Sequence, residues 1–263
     1  MIEPNKIYLG DCLPYLKEIP DKSIDLVLTD PPYGCKIGGA KPFGKIGGGK
    51  QRTGPSTSGI VSHHNIIKPT TFVMFDDSAP PGQEYFDEIR RISKNQIIFG
   101  GNYFADCLPT SPCWIVWDKD NTGHFADCEL IYTSFETPIR KIKFRWNGLL
   151  QEDMTHKDVR VHPTQKPVKL IMKILQDYSK RGDLVCDPFL GSGTTAVACL
   201  KTNRNYVGIE KEPRFYEAAI KRIEKAMNKT LDDFLWKDDG IKMKVQRTPQ
   251  GKRDYVPVGN NID

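Results

Sequence analysis

Four consecutive residues, Asp30-Pro31-Pro32-Tyr33, follow the apolar run 24–29 and combine a carboxylate, two rigid residues and an aromatic ring. The exocyclic amino group of a nucleic-acid base is a poor nucleophile, because its lone pair is delocalised into the ring. The Asp30 carboxylate and the Pro31 carbonyl can each accept one N–H of such a group, which favours a pyramidal nitrogen that can attack a methyl group. These four residues are therefore candidate catalytic residues.

The prolines and the tyrosine of this motif support that chemistry. Proline fixes φ at about −65° and has no backbone N–H, so the Pro31 carbonyl is held in place. Tyr33 offers an aromatic face on which a base that has left the helix can stack. The alternative interpretation is an ordinary strand-to-turn junction, since Asp-Pro and Pro-Pro are common in turns.

A second motif, Asp187 to Thr195, follows the short apolar segment 184–186 and has the composition of a cofactor-binding loop. Gly191 and Gly193 let the backbone approach a ligand at the start of a helix predicted over 192–200, where N–H groups attract an anion. Glu210 ends the next predicted strand, about 20 residues beyond the first glycine, where an acid can bind ribose hydroxyls. Alone, this loop also fits the dinucleotide pattern G-x-G-x-x-A, so a nicotinamide-dependent oxidoreductase is an alternative.

Three motifs in this order, 30–33, 162–167 (His-Pro-Thr-Gln-Lys-Pro) and 187–195, resemble the β group of amino-methylating DNA methyltransferases. In that family the target-base motif precedes the motif for S-adenosylmethionine, a permutation of the usual order. The resemblance covers residues 5–34 and 95–228. It implies that 30–33 hold the target base and that S-adenosylmethionine is bound by Asp11, Thr164, Gln165, Lys166, Asp187, Phe189, Gly191, Ser192, Gly193, Thr194 and Glu210.

The resemblance also implies a substrate. Enzymes with Asp first in the target-base motif more often methylate adenine N6, and those with Ser first more often methylate cytosine N4. The sequence therefore predicts an adenine-N6 methyltransferase acting on double-stranded DNA, with cytosine N4 as the main alternative. RNA and a non-catalytic nucleic-acid-binding relative are further alternatives. Asp11 has two interpretations, a contact to the cofactor's adenine or the N-cap of the following helix.

Composition predicts one catalytic domain over 1–230 followed by a polar tail over 231–263. We expect a cytoplasmic protein, because no apolar run reaches the length of a membrane span and the first 20 residues lack a signal-peptide pattern. The seven cysteines form no Cys-x-x-Cys pair, and no structural metal is expected. The family resemblance adds two candidate partners, a second copy of the chain and a companion restriction endonuclease.

Basic residues concentrate after the target-base motif. Residues 34–75 contain no acid and nine glycines, and their charge of +6 compares with +5 for the whole chain. This composition predicts a mobile basic loop that contacts DNA phosphates, or alternatively a solvated insertion with no role. The predicted DNA-binding residues in this loop are Lys36, Lys41, Lys45, Lys50 and Arg52.

A second basic segment, 139–146, alternates apolar and basic residues and predicts a half-exposed strand. Arg140, Lys143 and Arg145 are candidate DNA-binding residues there, since arginine is the commonest direct reader of guanine. The alternative is an edge strand whose lysines only prevent aggregation. We place a small target-recognition region around 121–160.

The predicted elements of the second half alternate between helix and strand, from a helix after Pro167 to a helix containing Phe215 and Ala226. This alternation predicts a doubly wound α/β fold with a mostly parallel sheet, as in S-adenosylmethionine-dependent methyltransferases. Ligands of such sheets bind beyond the carboxyl ends of the strands. Since Asp30 and Asp187 both follow predicted strands, we expect the two motifs to share one crevice.

Overall fold

The computed structural model describes residues 2–35, 79–120, 126–147, 150–155, 158, 164–235, 243–247 and 253–257. Apart from Gly34 and Cys35, the basic loop predicted over 34–75 lies outside the described residues, including Lys36, Lys41, Lys45, Lys50 and Arg52.

The chain forms twelve strands and five α-helices within these residues. The strands are β1 (Lys6–Leu9), β2 (Ile24–Thr29), β3 (Ser93–Phe99), β4 (Trp114–Asp118), β5 (Cys128–Thr133), β6 (Arg140–Lys143), β7 (Trp146–Asn147), β8 (Leu150–Gln151), β9 (Leu184–Asp187), β10 (Asn205–Glu210), β11 (Met243–Arg247) and β12 (Arg253–Pro257). The helices are α1 (Cys12–Glu18), α2 (Gln83–Ile92), α3 (Val168–Tyr178), α4 (Thr194–Thr202) and α5 (Pro213–Leu235), and a 3-10 turn covers Gly101–Tyr103.

Eight strands form the main sheet in the order β1-β10-β9-β2-β3-β5-β4-β6. The first five strands of that order are parallel to one another, and β5 is antiparallel to both of its neighbours. This mostly parallel sheet confirms the predicted α/β fold. It also places β2 and β9 side by side, so that the ends of these two strands lie at the same edge of the sheet.

Helices cover both faces of the sheet, and each face has its own hydrophobic core. Leu26 and Leu28 of β2 pack with residues of α3, α4 and α5, whereas Val27 packs with residues of α1 and α2. Successive side chains of a strand point to opposite faces, so a strand that is covered on both sides is apolar throughout. This explains the three consecutive buried apolar residues at 26–28, shortly before Asp30.

Several boundaries differ from the sequence prediction. Helix α4 begins at Thr194 rather than at 192, because Gly193 at its N-cap has a left-handed φ of 82°. The helix predicted after Pro167, for which Gly182 is the stop signal in the sequence, is α3 and ends earlier, at Tyr178. Helix α5 crosses the predicted domain boundary at 230 and ends at Leu235, and the predicted tail contains the antiparallel pair β11–β12. The strand predicted over 139–146 is shorter in the structure, where β6 covers Arg140–Lys143.

Candidate active site

Asp30 lies directly beyond β2 and is half-buried. Its Oδ1 accepts a hydrogen bond of 2.7 Å from the Tyr33 hydroxyl, and its Oδ2 lies 2.6 Å from the ammonium of Lys166. Both bonds hold the carboxylate in one orientation at the mouth of the crevice. The carboxylate of Asp30, the first residue of the target-base motif, is therefore fixed in position.

Asp30 belongs to a larger cluster of charged side chains that the sequence did not reveal. Lys166 Nζ also lies 3.1 Å from Oε1 of Glu129, and Lys119 Nζ lies 2.9 Å from Oε2 of the same carboxylate. The Tyr33 hydroxyl is 2.8 Å from Glu129 Oε1. Two carboxylates and two ammonium groups thus alternate, with the tyrosine hydroxyl between the carboxylates.

The two carboxylates of the cluster have opposite pKa shifts. Burial raises the pKa of Asp30, and the neighbouring Glu129 raises it further, although Lys166 opposes both effects. Burial also disfavours the charged form of Glu129, but Lys166 and Lys119 outweigh burial and lower the pKa of Glu129 to about 2. Glu129 is therefore the firmly ionised member of the pair, and Asp30 is the carboxylate that takes up a proton more readily.

The Tyr33 ring forms one half of an aromatic platform. It stacks on Tyr103 with 4.6 Å between ring centroids and an interplanar angle of 14°, and it meets the edge of Phe104. A side chain at Gly100, whose φ is 65°, would collide with the Tyr33 ring. Tyr103 is 49% exposed, so the platform reaches the surface. The glycine-rich turn 100–104 thus has a packing role beneath the target-base motif.

The cofactor loop begins at Asp187, the last residue of β9. Asp187 is 4% exposed and accepts hydrogen bonds of 2.6 Å from the Thr195 hydroxyl and 3.2 Å from the Phe189 amide. Burial raises its pKa to about 7, although the bond from Thr195 opposes this shift. Asp187 ends β9 and Asp30 directly follows the neighbouring parallel strand β2, and Asp30 contributes to the raised pKa of Asp187.

The two glycines of the loop have different roles. A Cβ at Gly191, where φ is 55°, would meet no atom within 4 Å, so the backbone there borders open space. A Cβ at Gly193 would lie 2.9 Å from the Cβ of Ala219 in α5. The sequence predicts close approach of a ligand at both glycines. At Gly193 the structure shows close packing of the loop against α5.

Glu210 lies at the end of β10 and is 8% exposed. Its carboxylate accepts hydrogen bonds of 2.7 Å from the Gly191 amide and 2.7 Å from the Glu212 amide. Burial raises its pKa, and these amide bonds oppose the shift. The predicted ribose-binding acid is thus held against the open side of the cofactor loop.

Arg222 of α5 fixes the other side of this loop, which the sequence did not predict. Its Nη1 donates to the Ser192 carbonyl at 2.6 Å, to the Ser192 hydroxyl at 2.7 Å and to the Thr194 hydroxyl at 3.2 Å. Burial lowers the pKa of Arg222, and Asp158 opposes that shift. The hydroxyls of Ser192 and Thr194, which we predicted to bind the cofactor, therefore bind Arg222.

Two consecutive residues of the motif 162–167, Gln165 and Lys166, link the cofactor loop to the target-base motif. Gln165 Oε1 accepts a bond of 3.3 Å from the Ser192 hydroxyl in the cofactor loop, and the Gln165 carbonyl accepts the Trp146 indole N–H at 3.0 Å. Lys166 contacts Asp30 in the target-base motif. Thr164 precedes them and is half-buried. The sequence predicts Lys166 as a cofactor contact; in the structure its ammonium lies on the Asp30 carboxylate.

The remaining predicted residues lie around this centre. Asp11 is the N-cap of α1 and accepts the Leu13 amide at 3.0 Å, which is the second of its two interpretations. Phe189 packs against Tyr85 with 5.1 Å between ring centroids. Pro31 is buried and Pro32 is half-buried.

The basic residues of β6 occupy the edge of the main sheet. Arg140 is exposed. Lys143 and Arg145 both pair with Asp120, and Lys141 pairs with Asp118. These pairs are typical of a charged edge strand. The DNA-binding role of Arg140, Lys143 and Arg145 stays a prediction.

Sequence reasoning missed Glu129, Lys119 and Arg222. Glu129 carried one usable signal, since an acid in the mostly apolar strand β5 must find a charged partner when it is buried. Among the described residues, no three His, Cys, Asp or Glu side chains are grouped to hold a metal ion. Within the same part of the chain, no helix is long and apolar enough to cross a membrane.

Comparison with known proteins identifies the class to which this site belongs. The N6/N4 methyltransferase family model, described as DNA methylase, matches residues 116–221. The chain is 28% identical to the Type II methyltransferase M.HinfI of Haemophilus influenzae over 300 aligned positions, which cover 98% of this chain and 79% of that protein. It is 27% identical to the Type II methyltransferase M2.DpnII of Streptococcus pneumoniae, over 86% of this chain and 92% of that protein.

A solved structure has the same fold. The PvuII DNA methyltransferase, described as cytosine-N4-specific, aligns with a TM-score of 0.52 and 16% identity over 88% of this chain and 94% of that chain. The fold is that of the S-adenosylmethionine-dependent methyltransferases to which the chain is similar in sequence. Residues 116–221 thus match the N6/N4 family of DNA methyltransferases, and the order of the three motifs resembles that of its β group.

The crevice has the groups that S-adenosylmethionine requires. Open space above Gly191 leaves room for a ligand beside the loop. Glu210 offers a carboxylate at the end of β10, where ribose hydroxyls are bound in such folds. Asp187 offers a second carboxylate, which suits the positive charge of the methionine part of the cofactor. The described residues therefore fit the cofactor of the family.

Proposed function

We propose that this chain transfers a methyl group from S-adenosylmethionine to N6 of adenine in double-stranded DNA, after the base has left the helix. The observation that carries this proposal is the position of Asp30 and Asp187. Asp30 directly follows β2 and Asp187 ends β9, and these adjacent parallel strands are paired through Leu26 with Val185 and Val27 with Cys186. An amino group on Asp30 and a cofactor beside Asp187 would therefore share one crevice.

Asp30 has two tasks in this mechanism. Its carboxylate accepts an N–H of the amino group while the Pro31 carbonyl accepts the other, which directs the nitrogen lone pair into the crevice. S-adenosylmethionine, when bound, supplies the methyl group from its positively charged sulfur. Positive charge then grows on the base nitrogen, and the Asp30 carboxylate stabilises it. Asp30 need not be a strong base, because the methylated nitrogen is acidic enough to lose its proton afterwards.

Tyr33 and Tyr103 supply the binding surface for the base. Taking a base out of the duplex costs a few kcal/mol, and stacking on an aromatic ring recovers part of this cost. Tyr103 already stacks on Tyr33 and is half exposed. We propose that the incoming base extends this stack or takes the place of the Tyr103 ring.

The identity of the base rests on the target-base motif. The motif of this chain begins with Asp30, and Asp at this position is more often seen in adenine-N6 enzymes, which is why we propose adenine rather than cytosine. We propose that the residues around the crevice bind S-adenosylmethionine as the family resemblance implies, with Asp187, Gly191 and Glu210 as the direct contacts. Ser192, Gly193 and Thr194 support the loop from behind.

DNA contact is proposed for the basic residues that the sequence predicts to bind DNA. These are Lys36, Lys41, Lys45, Lys50, Arg52, Arg140, Lys143 and Arg145. The second copy of the chain, the companion restriction endonuclease and the cytoplasmic location stay predictions. Light scattering of the purified protein would test the first of these.

The proposal is tested by incubating the purified protein with mixed-sequence duplex DNA and S-adenosylmethionine and analysing the nucleosides by mass spectrometry. N6-methyldeoxyadenosine is the expected product. Detection of N4-methyldeoxycytidine instead would be consistent with the proposed reaction at Asp30 but would contradict the proposal that the base is adenine. Parallel reactions with single-stranded DNA and RNA of the same sequence test the requirement for a duplex.

A further inference from the structure

Glu129 is the most enclosed charged group beside the target-base motif and has no role in the mechanism above. Its side chain is 11% exposed, and that of Lys166 is 12% exposed. Lys166 lies between two carboxylates, 2.6 Å from Asp30 Oδ2 and 3.1 Å from Glu129 Oε1. The Tyr33 hydroxyl is likewise shared between the two carboxylates, at 2.7 Å and 2.8 Å. Lys166 and Tyr33, the two donors to Asp30, can therefore each also donate to Glu129.

This sharing matters because a tyrosine hydroxyl has a single proton to donate. It can bond to Asp30 or to Glu129 at full strength, but not to both. The Lys166 ammonium has three protons, yet its positive charge works against the reaction when it lies on Asp30. The base nitrogen becomes positively charged during the transfer and is stabilised by the negative charge of Asp30. An ammonium group beside Asp30 weakens this stabilisation.

The charges of the cluster balance when Asp30 is ionised. Asp30 and Glu129 contribute two negative charges, and Lys166 and Lys119 contribute two positive charges. Without the charge of Glu129 the cluster would carry a net positive charge next to the reacting nitrogen. Interactions of this kind are strong in an enclosed site, where water screens little.

We infer that Glu129 is a positioning residue, which takes over the Lys166 ammonium and the Tyr33 hydroxyl when the amino group of the base binds to Asp30. This inference rests on the proposed function, because it needs an amino group at Asp30. Lys119 holds Glu129 from the opposite side, 2.9 Å from Oε2, so that Oε1 stays directed toward Lys166 and Tyr33. The exchange needs no large movement, since both acceptors already lie within bonding distance of both donors.

The inference is tested with Glu129→Gln, which keeps the shape of the side chain and removes its charge. Single-turnover transfer of a radiolabelled methyl group from S-adenosylmethionine to duplex DNA should fall by at least about tenfold on the alkaline plateau of the pH profile. Cofactor affinity, measured by calorimetry, should stay within a few-fold. Glu84→Gln is the matched control, because Glu84 is 59% exposed and pairs only with Lys17 among the ion pairs of the described residues.

Two further measurements separate this role from a merely structural one. Lys119→Gln combined with Glu129→Gln restores a neutral cluster, so the double variant should transfer faster than Glu129→Gln alone. The charged groups facing Asp30 are Lys166, Glu129 and Asp187. Since Glu129 raises the pKa of Asp30, Glu129→Gln should also move the acid limb of the pH profile to lower pH.

The outcomes are distinguishable. An active wild type with an equally active Glu129→Gln variant would overturn the inference and leave the proposed function standing. A double variant no faster than Glu129→Gln, or an acid limb that does not move, would also overturn it. If Glu129→Gln does not fold, the double variant is compared with Glu129→Asp instead. Glu129→Asp keeps the negative charge, so the acid limb of its pH profile should match that of the wild type, whereas the acid limb of the folded double variant should lie at lower pH. An inert wild type would overturn the proposed function and the inference together.

Discussion

Lys166 and Asp30 are 136 residues apart in the chain, yet the Lys166 ammonium lies 2.6 Å from the Asp30 carboxylate. The preceding residue, Gln165, accepts a hydrogen bond from Ser192 in the cofactor loop. One short segment thus contacts both Asp30, the proposed base-binding residue, and the proposed cofactor loop. The three motifs that define the family are joined in space as well as being ordered along the chain.

Lys166→Met removes the cation that the half-buried carboxylates of Asp30 and Glu129 share. We expect it to lower the free energy of unfolding by about 3–5 kcal/mol, because Asp30 and Glu129 would lose their common partner. Urea unfolding at neutral pH measures the effect. Lys169→Met is the control, since its ion pair with Asp153 is solvent-exposed and should be worth less than about 1 kcal/mol. Equal stability of the two variants would contradict the role assigned to Lys166.

Asp187 should make cofactor binding depend on pH. Its pKa of about 7 in the folded protein means that the carboxylate is increasingly protonated below neutral pH. Since the ionised form attracts a cationic cofactor, affinity should fall by up to about tenfold for each pH unit below 7. Calorimetry at pH 6 and pH 8 tests this, and Asp187→Asn should remove the pH dependence.

The same group has the opposite effect on the stability of the cofactor-free protein. The folded chain binds the Asp187 proton up to about pH 7, whereas an unfolded aspartate releases it near 3.8. Between these two values the folded state holds more protons, so the contribution of Asp187 to stability falls as pH rises. Unfolding experiments at several pH values on the wild type and Asp187→Asn would show this difference, and parallel stability profiles would contradict it.

Arg222→Met should loosen the cofactor loop. The variant loses the hydrogen bonds to Ser192 and Thr194 and leaves their buried oxygens without that donor. We expect a loss of about 1–3 kcal/mol of stability and cofactor affinity about tenfold weaker. Lys221→Met, at the preceding exposed position of the same helix, is the control for both measurements. Unchanged cofactor affinity in Arg222→Met would show that the loop does not depend on this contact.

Gly191→Asp and Gly182→Asp form a matched pair. Both glycines have left-handed φ values, 55° and 88°, and a Cβ at either position meets nothing within 4 Å. Each substitution should therefore cost about 1–2 kcal/mol of backbone strain. Only the side chain at 191 would enter the space beside Glu210, so only Gly191→Asp should abolish cofactor binding. Retained binding in Gly191→Asp would place the cofactor elsewhere.

The fold and the position of the two main motifs could be predicted from local patterns. Short apolar runs before Asp30 and Asp187 indicated buried strands, and alternation with helices indicated a parallel sheet whose ends meet. The cluster around Glu129 could not be predicted in this way. Tyr33 lies 96 residues from Glu129, and their contact depends on how β5 enters the sheet between β3 and β4.

The supporting contacts of the cofactor loop were hidden for the same reason. Gly193 and Ser192 read as ligand-binding residues because their local pattern is that of a cofactor loop. Their neighbours Ala219 and Arg222 lie on α5, which packs behind the loop only in the folded chain. The helical pattern of α5 predicted its apolar face but gave no information on which polar side chain would reach the loop.

The most direct test of the account compares the wild type with Asp30→Ala in the nucleoside assay on duplex DNA. The account predicts N6-methyldeoxyadenosine from the wild type and none from Asp30→Ala, while calorimetry shows cofactor affinity within a few-fold in both proteins. Asp21→Ala, an exposed aspartate away from the crevice, should methylate as the wild type does. Methylated adenine from a folded Asp30→Ala protein would contradict the assignment of Asp30 as the catalytic residue.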